Sequence, residues 1–235
     1  MKPLLVEYGR AAYMTGLAHR VRQPEQNGPH PTVVMLHGRH GTEDVTWVFA
    51  PALPPDWLLI APRGIEWEPE KPDDTAGYSW LIQQDHIPAQ SGRWPSLADF
   101  RDAVEALTYF VKSLPDVYGA DPERIYLLGF SQGAAAALSL ALAQPELVRG
   151  VASLVGFVPE VPEHVADSRP LAHKPIWMGV GTADDRIPLH LAQRTAQTLR
   201  QAGATLSYHE YNTGHKLNSA GMKDLRAWWE GLGGE

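Results

Sequence analysis

The chain lacks several features that would each define a class of protein. None of its 235 residues is cysteine, so disulfide bonds and a cysteine nucleophile are excluded. No apolar run is long enough to span a membrane, and the first residues, Met1–Glu7, include no apolar segment of signal-peptide length. We therefore expect a cytoplasmic protein without integral membrane association.

An excess of positive charge is also missing. The 20 Lys and Arg residues face 27 Asp and Glu, giving a formal net charge of -7, and the basic residues are scattered. Such a chain has no basic field to attract nucleic acid, so a nucleic-acid partner is not expected. The 44% hydrophobic content is enough for a large core, and we predict a single α/β domain over residues 1–235.

One stretch predicts a nucleophile. An apolar, strand-like run at residues 125–130 enters the turn Gly129-Phe130-Ser131-Gln132-Gly133, and an alanine-rich helical stretch follows at residues 134–143. Glycines on both sides of a serine are needed where a sharp strand-to-helix turn brings backbone atoms together. The pattern is typical of a nucleophile elbow, with Ser131 exposed at the start of the helix.

A serine hydroxyl needs a histidine to take its proton and a carboxylate to orient that histidine. On this kind of scaffold they follow in the order Ser, Asp, His. The predicted strand Pro175–Gly181 leads into a loop with Asp184 and Asp185, so the residues alone leave the acid as either aspartate. The predicted strand Thr205–Tyr211 leads into a loop with His215, which we predict to be the base.

Two backbone N–H groups are needed to bind the oxygen that becomes negative during acyl transfer. The residue after the nucleophile, Gln132, predicts one donor. An apolar strand at residues 32–36 followed by His37-Gly38-Arg39 predicts the other donor as the Arg39 N–H.

Other histidines are interpreted as ordinary polar residues: His164, His173, His190 and His209. His37, His40 and the Asp184-Asp185 pair could suggest metal ligands, but they show no closely spaced ligand motif. No metal ion or other cofactor is expected.

Taken together, these residues resemble the phospholipase/carboxylesterase branch of the α/β-hydrolase superfamily, which includes acyl-protein thioesterases and small bacterial carboxylesterases. The matching pieces span most of the chain: Leu36-His37-Gly38-Arg39, Ala61-Pro62-Arg63-Gly64, Trp80, Gly129-Phe130-Ser131-Gln132-Gly133-Ala134, Gly156-Phe157, Gly181 with Asp184 and Ile187-Pro188, and Gly214-His215.

The resemblance has implications for the site. It aligns Gly181–Pro188 with the family pattern G-x-x-D-x-x-V-P, which makes Asp184 the acid and Asp185 a loop residue or a weak helper. It implies hydrolysis of small-molecule carboxylic esters, thioesters or lysophospholipids, with Trp80 and Phe157, at matching positions, as substrate-binding residues. His40 is expected to bind substrate as well, because of its place beside the cleft. The chain departs from the family at Arg39-His40, which puts a cation and an imidazole beside the cleft.

The resemblance also implies an α/β-hydrolase fold with a mostly parallel central sheet, flanking helices and no large cap domain, and alternating strand and helix patterns agree with it. Residues 4–8 and 11–18 are predicted to form an antiparallel pair of strands at the start of the chain. A helix from the capping box at Ser96 is predicted to end at Leu114-Pro115, and another to begin at Lys216.

The long segment Arg63–Pro95 carries aromatic residues in an otherwise polar sequence. We hypothesise that it folds over the nucleophile and lines an acyl pocket, with Trp80 as the pocket residue. The alternative for Trp67 and Trp94 is that these rings only hold the segment to the sheet.

Two other functions remain open on the same scaffold. One is a different hydrolase, such as a serine peptidase; a dienelactone-type hydrolase is disfavoured because it usually has a cysteine nucleophile. The other is a ligand-binding protein without turnover. The sequence does not decide between a monomer and a homodimer.

Overall fold

A mostly parallel sheet organises the molecule. The computed structural model describes residues 2–69, 77–81 and 94–232. Within them the strands are β1 (Leu4–Val6), β2 (His19–Arg22), β3 (His30–Leu36), β4 (Leu58–Pro62), β5 (Glu66–Glu68), β6 (Gly77–Ser79), β7 (Ala120–Phe130), β8 (Gly150–Leu154), β9 (Pro175–Gly181) and β10 (Thr205–Tyr211). The helices are α1 (Gly9–Thr15), α2 (Arg101–Tyr118), α3 (Gln132–Ala143), α4 (Glu163–Asp167), α5 (Leu189–Gln201) and α6 (Ser219–Leu232). Short 3-10 turns cover Val45–Ala52, Leu97–Phe100 and Pro145–Leu147.

The eight-stranded sheet has the order β1-β2-β4-β3-β7-β8-β9-β10. Within this sheet β4, β3, β7, β8, β9 and β10 run parallel to one another, and β1 and β2 join one edge through antiparallel pairings. Parallel strands bring their carboxyl ends to one edge of the sheet, so the loops after β3, β7, β9 and β10 meet there. The predicted α/β-hydrolase class with a mostly parallel sheet is confirmed.

Both faces of the sheet are covered, because its central strands are apolar on both sides. On β3, Val34 and Leu36 pack into the core shared with α2, α3 and α5, whereas Val33 and Met35 pack into the core on the opposite face. That second core contains Phe49 from the 3-10 turn at Val45–Ala52. No helix within the described residues is both long and apolar enough to cross a membrane.

The opening of the chain corrects one expectation. Residues 11–18, predicted as a strand, lie mostly in α1, and β1 pairs with residues 19–22 instead. Gly16 ends the helix in the left-handed region at φ 77°, donating its N–H to the Ala12 carbonyl. The alanines in this stretch are good helix formers. Only seven residues are helical, which is too short for a helical pattern of apolar residues to be recognised in the sequence.

Helix α2 continues past the expected end at Pro115. The capping box forms, with the Ser96 N–H donating to Asp99 at 2.7 Å, and the helix runs to Gly119 at φ 66°. A proline this near the carboxyl end removes few helical hydrogen bonds, and Leu114 and Tyr118 on either side of it are buried. Packing therefore carries the helix through the proline.

Helix α6 starts later than expected, at Ser219 rather than Lys216. The Asn218 side chain accepts a 3.0 Å hydrogen bond from the Gly221 N–H, which is the action of an N-cap residue.

Part of the segment Arg63–Pro95 forms a hairpin of β5 and β6. Its Trp67 is 53% exposed and packs edge-on against Tyr78, while Trp94 is buried and packs edge-on against Phe157. Trp94 thus holds its end of the segment to the core. Residues 70–76 and 82–93 lie outside the described residues. The hypothesis that this segment lines an acyl pocket concerns mostly those residues.

Candidate active site

Ser131 stands at the turn between β7 and α3. Its backbone is in an unusual region, at φ 55° and ψ -119°, which costs conformational energy for a residue other than glycine. A Cβ on Gly129 would lie 2.4 Å from the Ala134 Cα, and one on Gly133 would lie 2.3 Å from the Leu36 carbonyl oxygen. The flanking glycines are therefore required by close backbone contacts, as the elbow pattern predicts.

Ser131, His215 and Asp184 form one hydrogen-bonded chain. The Ser131 Oγ lies 2.8 Å from the His215 Nε2, and the His215 Nδ1 lies 2.8 Å from the Asp184 Oδ2. Because a carboxylate only accepts, Nδ1 carries the proton, which leaves Nε2 free to accept from the serine hydroxyl. The three side chains are arranged for a proton to leave the serine.

Asp184 is held as a carboxylate. Its second oxygen accepts 2.9 Å hydrogen bonds from the N–H groups of Arg186 and Ile187. Burial acts to raise the pKa of Asp184, but the hydrogen bond from His215 and the two N–H groups outweigh it, and the net pKa lies below its usual value. The neighbouring Asp185 is exposed.

The β9 loop (residues 182–187) and the β10 loop (residues 212–215) are tied together through the backbone. The Ala183 N–H donates to the Thr213 carbonyl at 3.0 Å, and a Cβ on Gly181 would lie 2.3 Å from the Gly214 carbonyl oxygen. These contacts fix the acid relative to the base.

Two aromatic residues beside the base were missed by sequence reasoning. The Phe130 ring packs edge-on against His215 with centroids 5.5 Å apart, and Phe49 stacks on Phe130 at 5.8 Å. Phe130 lies inside the elbow motif, so its position was a signal. Phe49 lies in a short 3-10 turn that carries no such signal.

The β3 loop (residues 37–41) approaches the nucleophile from the other side. A Cβ on Gly38 would lie 3.3 Å from the Ser131 Cβ, so the loop backbone passes directly over the elbow. On the elbow side, Gln132 is the first residue of α3, and its N–H has no acceptor within the helix.

His37 stabilises the β3 loop from inside. Its Nδ1 donates to the Gly38 carbonyl at 2.8 Å, and its Nε2 accepts from the Gly64 N–H at 2.8 Å. Burial lowers the pKa of His37 to about 4, against smaller opposing effects of the Gly38 hydrogen bond and Glu43. The imidazole is therefore neutral near pH 7, and protonation would remove the acceptor that Gly64 uses.

The Gln132 side chain connects the elbow to the segment around Trp80. Its Oε1 accepts from the Trp80 N–H and its Nε2 donates to the Leu81 carbonyl, both at 2.8 Å. The Trp80 indole in turn donates to the His37 carbonyl at 2.8 Å. Trp80 thus joins both sides of the site.

The predicted substrate-binding residues lie close to these elements but are largely enclosed. Trp80 is 1% exposed and Phe157 4% exposed, and His40 contacts Glu68 on β5. A groove of about 350 Å³ runs between Phe157 and α5, with Arg194 at its side. A substrate role for the three residues stays a prediction.

The interpretation of His37, His40 and the Asp184-Asp185 pair as metal ligands has no support in the described residues. No group of three or more His, Asp or Glu side chains there is arranged to hold an ion. His37 has both ring nitrogens engaged with backbone groups.

Known proteins are similar to this chain at the level of family and fold. The family model for phospholipase/carboxylesterase matches residues 18–230. Carboxylesterase SOBER1 of Arabidopsis thaliana is 30% identical over 112 residues, 47% of this chain and 49% of that protein. Acyl-protein thioesterase 1 of Debaryomyces hansenii is 30% identical over 115 residues, 48% of this chain and 49% of that protein. The matched part thus spans about half the length of these relatives.

Among solved structures, a carboxylesterase from Mesorhizobium loti superposes with a TM-score of 0.77, covering 98% of this chain and 100% of that one. Sequence identity is 22%, so this likeness shows the fold.

Proposed function

Because the chain belongs to the phospholipase/carboxylesterase family, we propose that it hydrolyses small-molecule carboxylic esters through an acyl-enzyme formed on Ser131. The observation that carries the proposal is the continuous hydrogen-bonded chain from Asp184 through His215 to the Ser131 hydroxyl, with 2.8 Å at each step. This is the geometry that nucleophilic catalysis by serine needs.

In the first step, the Ser131 Oγ attacks the ester carbonyl carbon while the His215 Nε2 takes its proton. The ionised Asp184 stabilises the imidazolium that forms and keeps the ring oriented. The low pKa of Asp184 supports this role, since the acid stays charged throughout.

The carbonyl oxygen becomes negative in the tetrahedral intermediate and requires donors. We assign the backbone N–H groups of Arg39 and Gln132, which flank the elbow on its two sides, to this oxyanion hole. Losing one such donor typically raises the barrier by about 3 kcal/mol.

His215 then protonates the leaving alcohol, and the acyl group remains on Ser131. Water enters, loses its proton to His215 and attacks the acyl carbonyl, and collapse of the second intermediate releases the acid and restores the serine. Every proton moves through the same Nε2 atom, so no metal ion or cofactor is required.

The name of the Debaryomyces relative favours a second candidate substrate class, the thioesters. The same residues would perform that reaction, because only the leaving atom changes from oxygen to sulfur. We assign His40, Trp80 and Phe157 to substrate binding in either case.

The test is hydrolysis of p-nitrophenyl esters of increasing acyl length by the parent protein and Ser131→Ala. We expect the parent to release p-nitrophenol and Ser131→Ala to lose at least about 10⁴-fold in kcat. Ser139→Ala is the matched control, since Ser139 lies in the same helix and only donates to the Ala135 carbonyl.

The alternatives have different outcomes. Cleavage of peptide substrates without ester turnover would favour a serine peptidase. Failure of a fluorophosphonate probe to label Ser131, together with no ester turnover, would favour a ligand-binding protein. Equal activity of the parent and Ser131→Ala would contradict the proposed nucleophile.

A further inference from the structure

The β3 loop, which carries the assigned Arg39 donor, makes a strained turn. The Gly41 N–H donates to the Gly38 carbonyl at 3.0 Å, closing a four-residue turn. His40 occupies its third position at φ 57°, where such turns favour glycine or asparagine. Something outside the turn must hold it in this conformation.

The β5–β6 hairpin holds the turn through its backbone. The Tyr78 N–H donates to the Gly41 carbonyl at 2.8 Å, and the His40 N–H donates to the Ser79 hydroxyl at 3.2 Å. A Cβ on Gly77 would lie 2.1 Å from the His40 carbonyl oxygen, so the hairpin packs directly on the turn.

One hairpin side chain, Glu68, contacts both central residues of the turn. Its carboxylate accepts hydrogen bonds from Arg39, the shorter of them from Nε to Oε1 at 3.0 Å and from Nη2 to Oε2 at 2.7 Å. The His40 Nε2 lies 3.2 Å from the same Oε2. This arrangement fixes the direction of the guanidinium as well as its distance.

Glu68 is enclosed and charged. It is only 6% exposed, and although burial acts to raise its pKa, hydrogen bonds from Arg39 and Ser79 and the charge of Arg39 bring the pKa below its usual value. The Arg39 cation is therefore directed at the hairpin and compensated there.

We propose that Glu68 is a positioning residue, which sets the direction of the Arg39 N–H by binding the side chains of Arg39 and His40. The inference rests on the proposed function, because it assigns a role within the same oxyanion hole. Glu68 itself touches no reacting atom; it acts through the turn.

The test compares Glu68→Gln with the parent in two assays. A fluorophosphonate forms a bond from its phosphorus to the Ser131 Oγ and expels fluoride, and its phosphoryl oxygen requires the oxyanion hole. We expect the labelling rate and the kcat for p-nitrophenyl acetate to fall about 10- to 100-fold, with KM changed less than about twofold. Glu66→Gln, on the same strand, is the matched control and should match the parent.

A purely structural ion pair would behave differently. A lower melting temperature for Glu68→Gln with an unchanged labelling rate at 25 °C would overturn the inference. If the parent is labelled but cleaves no ester, the proposed function fails, while the labelling comparison still decides the role of Glu68.

A second variant keeps the test valid if Glu68→Gln folds poorly. Arg39→Gln removes the contact between Arg39 and Glu68 while retaining the backbone N–H and the His40 contact, so its rate should fall as well, by no more than that of Glu68→Gln. The double variant should be no slower than Glu68→Gln alone, because that variant already lacks the contact with Arg39. Independent, multiplying falls in rate would contradict a shared mechanism.

Discussion

The two sides of the candidate site are built differently. On the base side, the β9 and β10 loops are tied by backbone bonds, such as the Ala183 N–H to the Thr213 carbonyl. On the oxyanion side, the β3 loop has a backbone bond from the Tyr78 N–H, but it also depends on particular side chains, namely those of His37, Trp80 and Glu68. Backbone ties survive most substitutions, whereas side-chain ties depend on residue identity. The oxyanion side should therefore be the more sensitive to mutations away from the reacting atoms.

The largest effect should come from breaking the base side at Asp184, the side chain that orients His215. Asp184→Asn keeps the shape but no longer enforces the Nδ1–H tautomer, and we expect kcat to fall by roughly 10³- to 10⁴-fold. Steady-state kinetics on p-nitrophenyl esters measure it. Asp185→Asn is the control, because that residue is exposed; an equal loss there would show that the acid has been misassigned.

A smaller effect concerns the pH dependence of stability on the oxyanion side. The pKa of His37 is about 4 in the folded protein, below its usual 6.5. Between these two pH values the unfolded chain binds a proton at His37 and the folded chain does not. The contribution of neutral His37 to the free energy of unfolding is complete above pH 6.5. It is lost as the pH falls from 6.5 to 4, by about 3 kcal/mol in total.

Urea unfolding between pH 7.5 and 4.5 measures this contribution as the difference between the parent and His37→Asn. The variant should have a shallower dependence on pH, while His190→Asn, at an exposed position of α5, should follow the parent. Parallel curves for all three proteins would refute the role of His37.

The smallest effect should come from the contact that joins the elbow to the segment around Trp80. Gln132→Ala removes the partners of the Trp80 N–H and the Leu81 carbonyl but keeps the Gln132 N–H. We expect kcat to fall about tenfold and the free energy of unfolding to fall by about 1–3 kcal/mol. Gln144→Ala, at the other end of α3, serves as the control, and an equal loss in both would point to a general effect on the helix.

The same contrast explains what could be predicted from the sequence. Ser131 and Asp184 follow apolar strands, and His215 follows a strand with an alternating pattern. The order of those strands along the chain was enough to place all three residues in loops at one edge of the sheet. These strands and the glycines of the elbow can be recognised from short stretches of sequence, because each pattern lies within a few neighbouring residues.

What could not be predicted depends on contacts between distant residues. Glu68 and Arg39 are separated by 29 positions, and nothing near Glu68 in the sequence indicates its partner. The continuation of α2 through Pro115 likewise depends on the burial of Leu114 and Tyr118, which outweighs the local preference for a break.

Helix α3 limits the substitutions that this protein can accept. Every residue from Gln132 to Leu142 is buried, so the helix offers no face on which a larger side chain fits without displacing its neighbours. Variation that alters specificity must then arise in the surrounding loops while this helix stays nearly fixed. A library for directed evolution would lose most of its members if it included α3, and few if it sampled the exposed positions of the β9 loop.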